Sequence, residues 1–185
     1  MIEKGTKLRI PIIAGFPGIG KSTATKRYPE LYVDLDSSMF HWLYDDEGNK
    51  YQDPSWPKNY IDAIKTIAFD SENNPEFKDT AYIFVSTHEQ ILNLLKEENI
   101  PFIIAAPTIE KKAEYLRRYK DRGNDEEFIK NLDKNFEKFI KSLKNHKKPI
   151  LWDRKEDFIL HRVIDSHEVY NNILLTEQAM IDDMR

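Results

Sequence analysis

Eight consecutive residues, Gly15-Phe16-Pro17-Gly18-Ile19-Gly20-Lys21-Ser22, carry the densest chemical signal in this chain. They fit G-x-x-x-x-G-K-[ST] at every fixed position, a pattern that cradles phosphate between a strand and a helix. Three of the chain's six glycines fall inside it. Glycine tolerates positive φ and lets backbone N–H groups close on anionic oxygens. A helix starting near Lys21 would aim its free N–H groups and dipole at the same anion. In this pattern Lys21 reaches the β and γ phosphates of a nucleotide and the Ser22 hydroxyl can ligate Mg²⁺. The candidate nucleotide-binding residues are therefore Gly15, Phe16, Pro17, Gly18, Ile19, Gly20, Lys21, Ser22 and Thr23.

Two further groups have the right types and spacing. Asp34 and Asp36 stand two apart in Tyr32-Val33-Asp34-Leu35-Asp36-Ser37-Ser38, and an extended strand projects residues i and i+2 to one side. Both carboxylates would face the carboxyl edge of the sheet, where open α/β folds bind ligands. One carboxylate can organise the water shell of Mg²⁺, and the other can accept or align the proton of an attacking hydroxyl. The competing expectation is an ordinary turn and N-cap, for which Asp-Ser-Ser also suits. Arg118 and Arg122, four apart in Arg117-Arg118-Tyr119-Lys120-Asp121-Arg122, share one helix face. Guanidinium groups there could neutralise transferring phosphate, or Arg118 could merely pair with Glu114 one turn back.

The elements that must position these groups alternate along the chain. Short apolar runs at 8–14, 31–35, 81–85 and 101–106 read as strands. Helical patterns follow at 21–28, 56–70, 88–98, 109–122 and 125–146. Pro29 stops the first helix, and Gly123-Asn124 separates the last two. Residues 150–152 or 158–164 would supply a fifth strand and 169–180 a closing helix. Strands alternating with helices imply right-handed crossovers and a parallel sheet covered on both faces. The class is α/β, in one domain spanning 1–185 with an insertion at 37–79.

Composition bounds the remaining choices. The chain has 185 residues and a formal charge of −4, which disfavours a general nucleic-acid coat but leaves room for a local basic groove. Zero cysteines exclude disulfides, zinc–thiolate sites and a catalytic thiol. No apolar run approaches the roughly 18 residues of a membrane span, and no signal peptide is evident, so a soluble, cytoplasmic protein is expected. The lysines at 138, 141, 144, 147 and 148 fit a solvated helix face better than a nucleic-acid patch.

On the octapeptide and its strand–loop–helix setting, the chain resembles the P-loop kinases, which include nucleoside monophosphate, shikimate, gluconate and polynucleotide kinases. The likeness is specific at residues 15–22, which match the Walker A motif, and extends more loosely over about 8–145. It implies a P-loop NTPase three-layer sandwich with an inserted substrate and lid region, and ATP-dependent, Mg²⁺-dependent phosphoryl transfer. The paired acids resemble the D-x-D of shikimate-type kinases, which would make Asp34 the metal-side acid and Asp36 the acceptor-side acid or base. Arg118 and Arg122 resemble the lid arginines of monophosphate kinases, which would make 109–125 a lid. Lys21, Asp36, Arg118 and Arg122 are then the catalytic candidates, and Ser22 and Asp34 the metal candidates. GFPGIGKST before an acid-ended strand also resembles a group of phage-borne P-loop kinases, some of which act on hydroxymethylated pyrimidines in DNA.

One departure matters. The third strand ends Val85-Ser86-Thr87-His88-Glu89, without the aspartate a Walker B motif would place there, which argues against GTPases and motor ATPases more than against kinases. Thr87 or His88 could touch substrate, though a half-solvated helix start is the commoner role for such a histidine. Phe40, His41, Trp42, Tyr44, Tyr51, Trp56 and Tyr60 crowd residues 39–60, where rings could stack on a base or pin the insertion to the body. No arginine occurs from 28 to 116, so a hydroxyl acceptor suits this insertion better than an ordinary monophosphate. The expected function is transfer of the γ-phosphoryl of ATP to a hydroxyl or phosphate of a nucleoside, nucleotide or related small molecule. DNA as acceptor, and an NTPase or regulatory module without an acceptor, are the alternatives. Oligomeric state is open.

Overall fold

The computed structural model describes residues 8–69 and 75–153. The stretches expected at 158–164 and 169–180 lie outside the described residues. Five apolar runs become the strands of one parallel sheet: β1 (Ile12–Gly15), β2 (Tyr32–Asp34), β5 (Tyr82–Ser86), β6 (Ile103–Pro107) and β7 (Ile150–Asp153). Their order is β2-β5-β1-β6-β7, with every neighbouring pair parallel. The fold is thus α/β, and of the two stretches expected to supply a fifth strand the first, at 150–152, is strand. Every residue of β1 and β6 is buried, as continuous apolar strands in the middle of a parallel sheet must be.

The helices are α1 (Lys21–Arg27), α2 (Ser38–His41), α3 (Lys58–Phe69), α4 (Glu89–Glu97), α5 (Lys112–Asp121) and α6 (Glu126–Asn145). In α3, Tyr60, Ile61, Ile64, Ile67 and Ala68 form the buried stripe. In α6 the stripe is Leu132, Phe136, Ile140 and Leu143. Both stripes belong to the same core as the strands. Gly123 takes φ 74° between α5 and α6, at the break expected there, and the Asp125 carboxylate caps α6 by accepting from the Phe128 N–H at 2.7 Å.

Chain direction assigns the layers. From β2 through β5 and β6 to β7 the chain steps one way across the sheet, whereas β1 to β2 steps the other way. Right-handed crossovers then put α3, α4, α5 and α6 on one face and α1 on the opposite face. Contacts agree for the larger layer, where α3 meets α4 and α5 meets α6. His146, just past α6, lies 3.2 Å from Glu89 of α4. The lysines of α6 behave as a solvated face: Lys141 pairs with Glu137 across one turn at 3.3 Å.

The weakly patterned stretch after β2 holds structure that periodicity did not predict. Strands β3 (Trp42–Tyr44) and β4 (Lys50–Gln52) form an antiparallel hairpin. Its turn is tied by the Asp45 carboxylate, which accepts from the Glu47 and Asn49 N–H groups. Three-residue strands with mostly exposed side chains leave no alternation long enough to read. Among the described residues, no helix is long and apolar enough to cross a membrane.

Candidate functional site

Gly15 ends β1 in the middle of the sheet, and the chain from Gly15 to Gly20 arches over the sheet's carboxyl edge before α1 begins at Lys21. Gly18 has φ 77° and Gly20 φ 107°. At Gly18 a Cβ would also stand 3.0 Å from the Tyr119 hydroxyl oxygen, so both conformation and space demand glycine there. The Lys21 side chain folds back over Gly15 and donates to the Gly15 carbonyl at 3.0 Å. A Cβ at Gly15 would come within 2.7 Å of its Cδ. Burial holds the Lys21 ammonium below its ordinary pKa, opposed by the nearby Asp34 and Asp36 charges and assisted by Arg122. No backbone carbonyl among the described residues accepts the N–H of Gly18, Gly20, Lys21, Ser22 or Thr23. A cation and a row of free donors therefore share one concave loop, and such a nest selects an anion.

Parallel pairing brings β2 beside β5 and β5 beside β1, which delivers the acids to this loop. Ser22 donates its hydroxyl to Asp34 Oδ2 at 2.8 Å. Asp34 Oδ1 is buried and has no hydrogen-bond partner among the described residues. Burial raises the Asp34 carboxyl above the usual range, against the pull of Lys21 and the Ser22 hydrogen bond. A buried carboxylate oxygen without a partner is costly, and a cation would satisfy it. Among the described residues no three His, Cys, Asp or Glu side chains gather as a metal site. A cation here would rest on Ser22, Asp34, water and ligand oxygens, a donor set that Mg²⁺ accepts. The residues fit the ion. Asp36 is exposed and its Oδ1 accepts the Ser38 N–H at 2.9 Å, so it performs the turn role while its charge stays within reach of Lys21.

The two arginines separate. Arg118 is half-buried against the loop and donates to the Gly18 carbonyl at 3.2 Å. It also lies over the Tyr115 ring, 4.6 Å from its centroid, and pairs with Glu114. Arg122 is exposed and makes no ion pair among the described residues, yet its charge is felt at Lys21 and Tyr119. Arg117 is exposed. The structure thus brings Gly15–Ser22, Asp34, Asp36 and Arg118 together, with Arg122 at the rim.

Several tyrosine contacts around the loop escaped the sequence reading, which names Tyr60 only for its ring. Tyr119 donates to the Pro17 carbonyl, and Tyr115 donates to Asp153 Oδ2 at 2.9 Å. Tyr60 donates to the Leu35 carbonyl at 2.7 Å and accepts the Ser86 N–H at 3.0 Å, which ties the ends of β2 and β5 together. Tyr115 and Tyr119 are one turn apart in α5, alongside Arg118. Asp153 ends its strand as Asp34 does, and that shared pattern was the available clue.

The aromatic insertion divides into two parts. Trp56, Tyr60 and Phe40 pack inward. His41 is stacked between Trp42 and Trp56, with centroids 4.2 and 4.5 Å away. Tyr44 and Tyr51 remain 65% and 46% exposed, free to meet another molecule. His88 hydrogen-bonds Ser86 at 2.8 Å through Nδ1 and sets its ring edge-on to His41 and Trp56. Desolvation by this setting, with His41 and Lys21 nearby, lowers its pKa from the ordinary imidazole value.

No protein-family model matches this chain, and no curated protein matches it either.

Proposed function

We propose that this chain is a P-loop kinase that moves the γ-phosphoryl of ATP, with Mg²⁺, onto a hydroxyl of a nucleoside, nucleotide or related small molecule. The observation that carries the reading is the convergence at one loop of Lys21, free backbone donors and the Ser22–Asp34 pair. The parallel order β2-β5-β1-β6-β7 supports the three-layer sandwich that the resemblance implies.

Each group has a stated task. The Gly15–Ser22 backbone binds the phosphates, and Lys21 leaves the Gly15 carbonyl to neutralise charge on the transferring group. Ser22 and Asp34 hold Mg²⁺, which would offset phosphate charge and orient the triphosphate when bound. Asp36 aligns the acceptor hydroxyl and takes its proton, using the carboxylate oxygen that the Ser38 turn leaves open. Arg118 and Arg122 add cationic charge on the α5 side. The hairpin and its exposed rings flank the acceptor side.

The test is a labelled-ATP screen across nucleosides, nucleotides, polyols and single-stranded DNA carrying hydroxymethylated pyrimidines. A labelled small-molecule product supports the reading, while label in DNA alone reassigns the acceptor. ATP hydrolysis without any labelled product would replace the kinase with an NTPase module.

A further inference from the structure

Asp153 is fully buried at the carboxyl end of β7, and four groups converge on it or on its partners. Tyr115 donates to its Oδ2 at 2.9 Å. Lys111 Nζ stands 3.3 Å from its Oδ1, and Arg118 Nη1 stands 3.8 Å from its Oδ2. Glu114 binds the same two cations, Lys111 at 2.9 Å and Arg118 in a closer contact. The cluster holds two acids and two bases and is formally neutral. Removing either carboxylate would leave two partly buried cations sharing one counter-charge, a costly way to break such a set.

What the cluster holds is the loop. Arg118 donates to the Gly18 carbonyl, and Tyr119, one residue on, donates to the Pro17 carbonyl. These two carbonyls are consecutive, so α5 grips both peptide planes at the crest of the arch. In a trans peptide the C=O and the following N–H point opposite ways. Pulling the Pro17 carbonyl towards α5 therefore turns the Gly18 N–H away from it. Arg118 would have little reason to stay there alone, because a long arginine side chain loses rotamer entropy when fixed. Tyr115 supplies the floor beneath its guanidinium, and Asp153 fixes Tyr115 from below.

We infer that Asp153 is a positioning residue for the 15–22 loop, acting through Tyr115 and Arg118 to fix the crest carbonyls on α5 and present the Gly18 N–H. It does not touch the ligand. The inference rests on the proposed phosphate-binding role only for its consequence, since the clamp itself can be measured without nucleotide.

The reporter is the Ile19 N–H, which donates to the Phe16 carbonyl at 3.1 Å inside the loop. The Phe16 N–H, bound to the Ala105 carbonyl at 2.8 Å, reports the sheet and serves as the reference. Residue-resolved hydrogen exchange on the ligand-free full chain compares wild type, D153N, R118M and the double variant. Expected is an Ile19 exchange rate, relative to Phe16, that rises about tenfold in D153N and in R118M, with the double variant no faster than R118M alone, because acting through one another makes effects non-additive. An unchanged Ile19-to-Phe16 ratio in D153N, or effects that multiply in the double variant, overturns the inference. If D153N does not fold, Y115F takes its place in the same cycle, with the same two outcomes deciding. In parallel, calorimetric titration with MgATP should show affinity falling about tenfold in D153N. Wild type failing to bind MgATP would sink the function proposed above while leaving the exchange result to decide the role of Asp153.

Discussion

Ser22 donates its hydroxyl to Asp34 across 2.8 Å, joining the first turn of α1 to the end of β2. The same carboxylate keeps its other oxygen buried and unpartnered among the described residues. Leaving that oxygen unsatisfied carries a cost to the ligand-free protein, and that cost can be measured.

Asp34→Asn should therefore stabilise the ligand-free protein at neutral pH. A carboxyl whose pKa is raised by folding adds stability below its unfolded pKa that is lost as pH rises through the folded value. At pH 7 the ionised Asp34 is thus a burden, which the amide removes. Melts of both proteins should differ at pH 7, by about 2–4 °C for each kcal/mol, and the gain should shrink as pH falls towards about 3.9. Mg²⁺-dependent nucleotide binding should fall in the same variant. An equal or lower melting point at pH 7 would remove the burial argument.

Lys21→Ala should leave the melting point near wild type and lower phosphoryl transfer by about 10²–10³, the usual effect of deleting a donor to developing charge. The amine's structural bond is one contact to the Gly15 carbonyl. Full transfer in this variant would break the site assignment.

Asp36→Asn separates the turn from the chemistry. The asparagine oxygen can still accept the Ser38 N–H, so fold and ATP affinity should persist while turnover drops. Steady-state kinetics with varied ATP and acceptor would read this directly, and an unaltered turnover number takes Asp36 out of the mechanism.

Gly18→Ala and Gly48→Ala make a matched pair. Both glycines have positive φ, 77° and 83°, so each alanine carries about 1–2 kcal/mol of backbone strain. At Gly18 the new Cβ meets Tyr119, at 3.0 Å, whereas no described residue lies within 4 Å at Gly48. Thermal unfolding should show the larger loss for Gly18→Ala, and nucleotide binding should fail there alone. Equal losses would mean that Tyr119 does not seat on the loop crest.

Tyr44→Ala combined with Tyr51→Ala tests the hairpin. Both rings are well exposed, so stability should move by less than about 0.5 kcal/mol. If the acceptor bears a base that stacks on them, its KM should rise about five- to a hundredfold, since one base–aromatic stack contributes about 1–3 kcal/mol. A KM equal to wild type would place the acceptor elsewhere.

The chain's local patterns were readable because they are short and contiguous. Strand and helix periods placed β1, β5, β6, α4 and α6 within a few residues, and Gly123-Asn124 marked the break before α6. The loop at 15–22 needs no distant residue to define it, since its glycines and Lys21 lie within one octapeptide. Tertiary structure decided which distant groups meet that loop. Ser22 and Asp34 meet because β2 pairs with β5 and not with β1, and strand order follows from how crossovers pack, not from period. Arg118 reaches Gly18 from 100 residues away, and Asp153 reaches Tyr115 from 38. The fate of each ring in 39–60 likewise depended on packing: Tyr60 on α3 and Trp56 just before it were drawn into the core, while Tyr44 and Tyr51 stayed on a hairpin too short to bury them. A sequence states which side chains can do chemistry, but burial and charge balance at long range settle which of them face the same space.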